Sequence, residues 1–283
     1  MEENKKLIVV PWDFTVVAEH ALAHAAKIGR MVGNDICLLH IVDKGIKASE
    51  EAEKKTMLQK ISDENGTKYN TKITWHISKG SIFTEIAEFA NDKEASVVVM
   101  GTHGMKGMQK LTGSWALKVI VKSKVPFIVV QDPPADQERY HNIVFPIDFR
   151  AENKEKMKMA IFMGKYFDSK VHLLVAEVTD QSLAKKTKIN LNFGIKYLIQ
   201  NNISYEVHEI PKGNFPQQTL DFAVEIKADL ILIVTTKNIT FADYVVGASE
   251  QYMIANSSKI PVCCVNPMTS FANVGQFMGG WGS

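Results

Sequence analysis

The chain has 283 residues, a formal net charge of +2 at pH 7, 46% hydrophobic and 23% charged residues. At roughly 150 residues per domain this length holds about two domains, each large enough to bury its own core. So small a net charge argues against nucleic acid or an anionic membrane as partner. No apolar run approaches the ~20 residues that span a bilayer, and the opening MEENKKLIVV does not read as a secretory signal.

In chain order, strands are predicted at 7–12, 35–41, 72–77, 96–101 and 126–131, with helical spacing at 16–32, 48–64, 82–92 and 113–122. The strands near 7, 96 and 126 are almost continuously apolar, as parallel strands covered on both faces are. The segment SEEAEKKTMLQK reads as a solvated helical face. After the polar, Pro-rich DPPADQERY (132–140) the pattern restarts. The second series falls at 142–147, 151–167, 170–176, 182–201, 203–209, 216–226, 229–234, 247–256 and 260–266.

The letters repeat as well as the pattern. LIVVPWDFT (7–15) returns as NIVFPIDFR (142–150), with Pro11 and Asp13 shifted by 135 positions onto Pro146 and Asp148. KGSIFTEIAEFA (79–90) returns as KGNFPQQTLDFA (212–223), ASVVVM (95–100) as ADLILI (228–233), and KSKVPFIVV (122–130) as SSKIPVCCV (257–265). Two copies of one α/β domain are expected: 1–131, a linker at 132–141, and 142–267. Each is a doubly wound, Rossmann-like domain with a five-stranded parallel sheet and right-handed crossovers. Residues 268–283, with Phe271, Phe277 and Trp281 among glycines, read as a tail.

Open parallel sheets bind ligands at the carboxyl ends of their strands, beside the switch in strand order. There the first copy places Gly101, Gly104, Gly107 and Gly113 within MGTHGMKGMQKLTGSWALKV (100–119). Glycines allow close backbone approach, successive N–H groups can cradle an anion, and the helix starting near Gly113 offers its N-terminus and Ser114. Lys106 and Lys110 can neutralise further charge, and His103 could touch phosphate or merely hold the loop. On spacing alone a connector whose glycines serve only turns stands equally well. Neither a G-x-x-x-x-G-K-[ST] loop nor a G-x-G-x-x-G fingerprint is present. Asp13 and Thr15 close the first strand, where a base or ribose could sit; Asp13 could equally cap the helix beginning near Val16.

VPWDF, LLHIVD, VVMGTHGMKGMQKLTGSWALKVI and VPFIVV together resemble the universal stress proteins of the UspA type, in a tandem form covering nearly the whole chain. ATP-binding members of that family carry G-x2-G-x9-G-[ST]. Gly101 and Gly104 fit its first spacing, but only eight residues, 105–112, separate Gly104 from Gly113. The resemblance implies that Asp13 and the backbone around Ile41 hold adenosine, and that Gly101, Gly104, Gly113 and Ser114 hold ribose and phosphates. With Pro11, Thr15, His103 and Lys106, these residues form the candidate nucleotide site. The implied ligand is ATP or a related adenine nucleotide, with Mg²⁺ brought by its phosphates. The resemblance also implies pairing of the last strands, here VPFIVVQ with IPVCCVN, as an internal pseudo-two-fold pair. Homodimerisation of the whole chain is a further option.

In the second copy Val234 replaces Gly101, Lys237 replaces Gly104, and Gly247 is followed by Ala248 where the first copy has Ser114. Asp148 is retained, but an aspartate that also caps a helix would be retained anyway, so the lost glycines make this a structural half with a degenerate phosphate loop. His20 and His24 lie four apart on a helix but have no evident third ligand, so no metal site is expected. His40 ends the second strand near the proposed site. Cys37, Cys263 and Cys264, too few for a disulfide framework, read as reduced apolar fillers in a cytoplasmic protein. No catalytic constellation stands out. The expected role is a nucleotide-binding module in a stress response; the alternatives are a weak ATPase and an interaction protein independent of nucleotide.

Overall fold

The computed structural model describes residues 6–102, 113–135, 138–235 and 249–267. Contacts divide the chain into two units, Met1–Asp136 and Gln137–Ser283.

In the first unit, β1 (Leu7–Pro11), α1 (Val16–Val32), β2 (Asp35–Val42), α2 (Ala48–Tyr69), β3 (Ile73–Lys79), α3 (Ile82–Asp92), β4 (Val97–Gly101), α4 (Gly113–Ile120) and β5 (Phe127–Val130) alternate strictly. The strands are parallel in the order β3-β2-β1-β4-β5. β1 is central because Ile8, Val9 and Val10 are all fully buried and apolar on both faces. The chain winds outward from β1 to β3, then crosses back to lay β4 on the other side of β1, so the direction reverses between β1 and β4. α1 lies close to the sheet because its inner face is small, with Ala18, Ala21, Ala25 and Ala26 buried beside Leu22 and Ile28. It ends on Gly33, whose φ of 74° is open to glycine at no steric penalty.

The ranges of α1 and α3 coincide with the sequence expectation, and Ser81 caps α3 by accepting from the Phe83 N–H. α2 runs past the expected 64 to Tyr69, where Asn70 turns it in the left-handed region. Of its 22 residues only Leu58 and Ser62 are buried.

The second unit holds β6 (Asn142–Ile147), α5 (Met157–Phe167), β7 (Lys170–Ala176), α6 (Gln181–Gln200), β8 (Tyr205–Ile210), α7 (Phe215–Glu225), β9 (Leu230–Val234), α8 (Ser249–Ile254) and β10 (Val262–Val265). Its order, β10-β9-β6-β7-β8, is again all parallel with the same switch, here between β6 and β9. The helix expected over 151–167 is divided. Ala151–Lys154 form a 3-10 turn and α5 begins only at Met157. The cause is side-chain competition for the backbone: Asn153 and Asn190 both donate to the carbonyls of Asp148 and Arg150.

The three cysteines are free and buried. Burial pushes the Cys37 thiol up to about 11 and raises Cys263 and Cys264 well above the ordinary range, so none is a ready thiolate. Among the described residues no helix is long and apolar enough to cross a membrane. The expected tail at 268–283 lies outside the described residues.

Candidate functional site

The crevice of the first unit opens where β1 and β4 end. β1 runs into Trp12, Asp13 and Phe14, and this exit is pinned to β2 by the Trp12 N–H donating to the Leu39 carbonyl at 2.8 Å. The Trp12 carbonyl lies 2.7 Å from His40 Nδ1. Burial lowers the His40 pKa from its ordinary value, its bond to the Trp12 carbonyl opposing. Phe14 has φ of 63°, an outlier for a bulky side chain. Its ring meets the His40 ring edge-on at 4.9 Å and lies under the Lys54 ammonium at 4.8 Å. Strain of this kind persists only where surroundings over-determine it, and it gathers at functional sites.

That turn leaves Asp13 exposed. Its Oδ1 accepts from the Thr15 N–H at 3.1 Å and from the Thr15 hydroxyl at 2.5 Å. Thr15 is the N-cap of α1, and no side chain caps that helix. The carboxylate therefore braces the turn instead of capping, and Oδ2 has no partner among the described residues. Pro11 ends β1 opposite Leu39, and half-buried Ile41 lies two positions further along β2.

Gly101 ends β4, fully within the core. Its φ is not positive; the requirement for glycine is closeness. A Cβ there would stand 2.5 Å from the Val17 carbonyl carbon and nearer still to its oxygen, in the first turn of α1. The sequence expectation of space left for a ligand is replaced at this position by space filled with backbone. Gly113 and Ser114 are the first two residues of α4. His103, Gly104, Lys106, Gly107 and Lys110 lie outside the described residues, as do Lys237, Gly247 and Ala248 of the second copy.

Two buried polar atoms border this crevice without partners among the described residues: the Trp12 indole N–H, just after β1, and the Thr102 hydroxyl, just after β4. An unsatisfied buried polar group carries a penalty of about 1–3 kcal/mol and calls for an explanation.

The corresponding crevice of the second unit is a small cleft of about 50 Å³ lined by Pro146, Asp148, Arg150, Lys156, Val234 and Glu250 among others. Its charged groups have partners, although Asn153 Oδ1, beside them, is buried without a partner among the described residues. Arg150 donates from Nε to Asp148 Oδ2 at 2.7 Å and from Nη1 to Glu250 Oε1 at 3.1 Å. Asp148 Oδ1 accepts from the Arg150 N–H and from Asn153 Nδ2. Lys156 is buried, donates to the Pro146 carbonyl, and sits 4.4 Å over the Phe145 ring. Burial lowers its pKa to about 7, with Asp148 opposing and Arg150 assisting the shift. Ile147 stands where Trp12 stands in the first unit, and the Thr235 hydroxyl donates to Asn266 Oδ1 where Thr102 has no acceptor among the described residues.

Lys156 and Glu250 were not singled out in the sequence. Within AENKEKMKMA a buried lysine looks like its solvated neighbours, and only the delayed start of α5 turns it inward. The His20–His24 pair faces the chain leaving β5. His20 Nδ1 lies 3.0 Å from the Gln131 carbonyl and His24 Nε2 3.2 Å from that of Asp132, anchoring the exit of β5. Burial pulls His24 down to about 3, so it is neutral at physiological pH.

A sequence profile of the Universal stress protein family matches residues 5–131. A universal stress protein of Methanocaldococcus jannaschii is 32% identical over 151 residues, covering 47% of this chain and 85% of the relative. A second from the same organism is 27% identical over 153 residues, covering 44% of this chain and 94% of the relative. Among solved structures, a universal stress protein from Archaeoglobus fulgidus DSM 4304 aligns over 92% of this chain and 96% of that one, with a TM-score of 0.74 and 17% identity. That similarity is one of fold.

Proposed function

The chain belongs to the universal stress protein family, and from that premise we propose that its first unit binds an adenine nucleotide as a stress-response module while its second unit binds none. The observation that carries this reading is the difference between the two crevices. In the first, among the described residues, an exposed carboxylate keeps one oxygen without a partner and two buried polar atoms lack partners. In the second, the corresponding groups are replaced or paired, and the cations Arg150 and Lys156 are built in.

In this reading Asp13 accepts from a ribose hydroxyl, the backbone at the end of β2 near Ile41 meets the base, and the N-terminus of α4 at Gly113 and Ser114 meets phosphate. Gly104, Lys106 and His103 complete the phosphate side, with Mg²⁺ on an ATP-like ligand. Gly101 and Thr15 act indirectly, the first by letting α1 close on β4, the second by fixing the Asp13 rotamer.

The test is retention of labelled ATP on rapid filtration of the full chain. A hydrogen bond to a charged acceptor is worth about 1.5–3 kcal/mol, so Asp13→Ala weakens retention roughly 10- to 100-fold. Asp148→Asn leaves it unchanged. Equal retention by the wild type and Asp13→Ala, with both folded by circular dichroism, would remove the proposal.

A further inference from the structure

Away from both crevices, the outer strands of the second unit bring together His172 on β7 with Glu206 and His208 on β8. Parallel register sets His172 directly opposite Glu206, and His208, two residues on, shares their face. One ligand atom from each of the three lies within 4.8 Å of the others. His172 Nδ1 is 3.0 Å from His208 Nε2, and His208 Nε2 is 3.9 Å from Glu206 Oε2. We propose that His172, His208 and Glu206 form a binding site for a divalent transition metal of the Zn²⁺ class.

Three features support it. First, His172 Nε2 lies 3.1 Å from Asn142 Oδ1. The amide oxygen can only accept, so Nε2 carries the proton and Nδ1 presents its lone pair toward His208. A partner of this kind behind a ligating imidazole fixes its tautomer and aim. Second, two nitrogens at this spacing can both reach one ion at bond lengths of about 2.0–2.1 Å, with the carboxylate and water completing the shell. Imidazole with carboxylate favours Zn²⁺ or Cu²⁺ over Mg²⁺ or Ca²⁺.

Third, the first unit builds the same corner of the fold without the ligand set. His76 stacks on Phe89 at 4.8 Å as His208 packs on Phe222 at 4.6 Å, but Cys37 pairs with Thr74 where His172 pairs with Glu206. The aromatic contact therefore belongs to the scaffold, and the second imidazole and the carboxylate are additions to it. In the described structure the Lys170 ammonium lies 2.5 Å from Glu206 Oε2 and competes for that oxygen. Lys170 is half-exposed and can swing into water when an ion arrives.

The test is titration of the full, untagged chain with Zn²⁺ against a chromophoric chelator, with Co²⁺ absorption as a second readout. The expected result is one saturable equivalent. Glu206→Gln and His208→Gln each weaken binding at least tenfold and change the Co²⁺ spectrum. Lys170→Met tightens binding several-fold, and His20→Gln leaves it unchanged. Saturating Zn²⁺ raises the melting temperature of the wild type and not of His208→Gln. Absence of a saturable equivalent in the wild type overturns the site, as does an equivalent that persists in both Glu206→Gln and His208→Gln. The exposed position of Glu206 keeps the test valid if the His208 variant fails to fold.

Discussion

Gly101→Ala destabilises the first unit by about 3 kcal/mol or more in urea unfolding followed by tryptophan fluorescence. Three of the chain's four tryptophans, Trp12, Trp75 and Trp115, belong to this unit, so the signal reports it selectively. The size of the effect follows from what the new methyl group would strike. Both the carbonyl carbon and the oxygen of Val17 are backbone, and neither can rotate aside. Relief requires α1 to move off β4, which opens a core where Val97, Val98, Val99 and Met100 are almost fully buried. Gly80→Ala is the informative control. There the added atom meets the Glu85 side chain, which can swing away, and the change stays within about 1 kcal/mol. Similar midpoints for the two variants would show that the approach of α1 to β4 does not dictate glycine at 101.

Lys156→Met stabilises the second unit at neutral and acidic pH by about 1–4 kcal/mol, and the advantage shrinks as pH rises. The folded pKa, about 7, lies below the ordinary lysine value of 10.5. Between those values the unfolded chain binds more protons than the folded one, so wild-type stability rises with pH across that window. Below pH 7 the full desolvation penalty is present. Each unit above 7 relieves up to about 1.4 kcal/mol until the unfolded lysine also loses its proton near 10.5. Methionine keeps the length and apolar stem while removing the ammonium. Denaturant midpoints of both proteins by circular dichroism at pH 6 and pH 9 give the comparison, and taking the difference cancels the buried cysteines, which titrate in both. A pH-independent difference would mean that the ammonium is solvated in the native state.

Much of the framework is legible in the sequence because it is written in hydrophobic period. Ile8, Val9 and Val10 announce a central parallel strand, and the spacing of Ala18, Leu22 and Ala25 announces the helix that covers it. Asp13 is legible as a candidate because a strand end followed by a short acid has few uses. Its rotamer is not, since bracing by Thr15 instead of a helix N–H depends on the left-handed Phe14 between them. Gly101 is legible as special but not for its actual reason, because the atom it avoids belongs to Val17, far away in sequence. Lys156 is hidden by its charged neighbours, and His172 and His208, 36 residues apart, meet only through strand register. Residue type reveals where chemistry can occur; proximity across strands decides whether it does.

The sparse attachment of α2 has its own consequence. With only Leu58 and Ser62 buried among 22 residues, this helix is held by a small part of the core, so peeling it from the sheet takes far less free energy than unfolding the unit. Its amide protons exchange through that partial opening, ahead of those in β1 and β4. Because the Lys54 ammonium of this helix covers Phe14, each such excursion also uncovers the strained residue next to Asp13. Exposure of Phe14 is thereby coupled to the breathing of a solvent-facing helix.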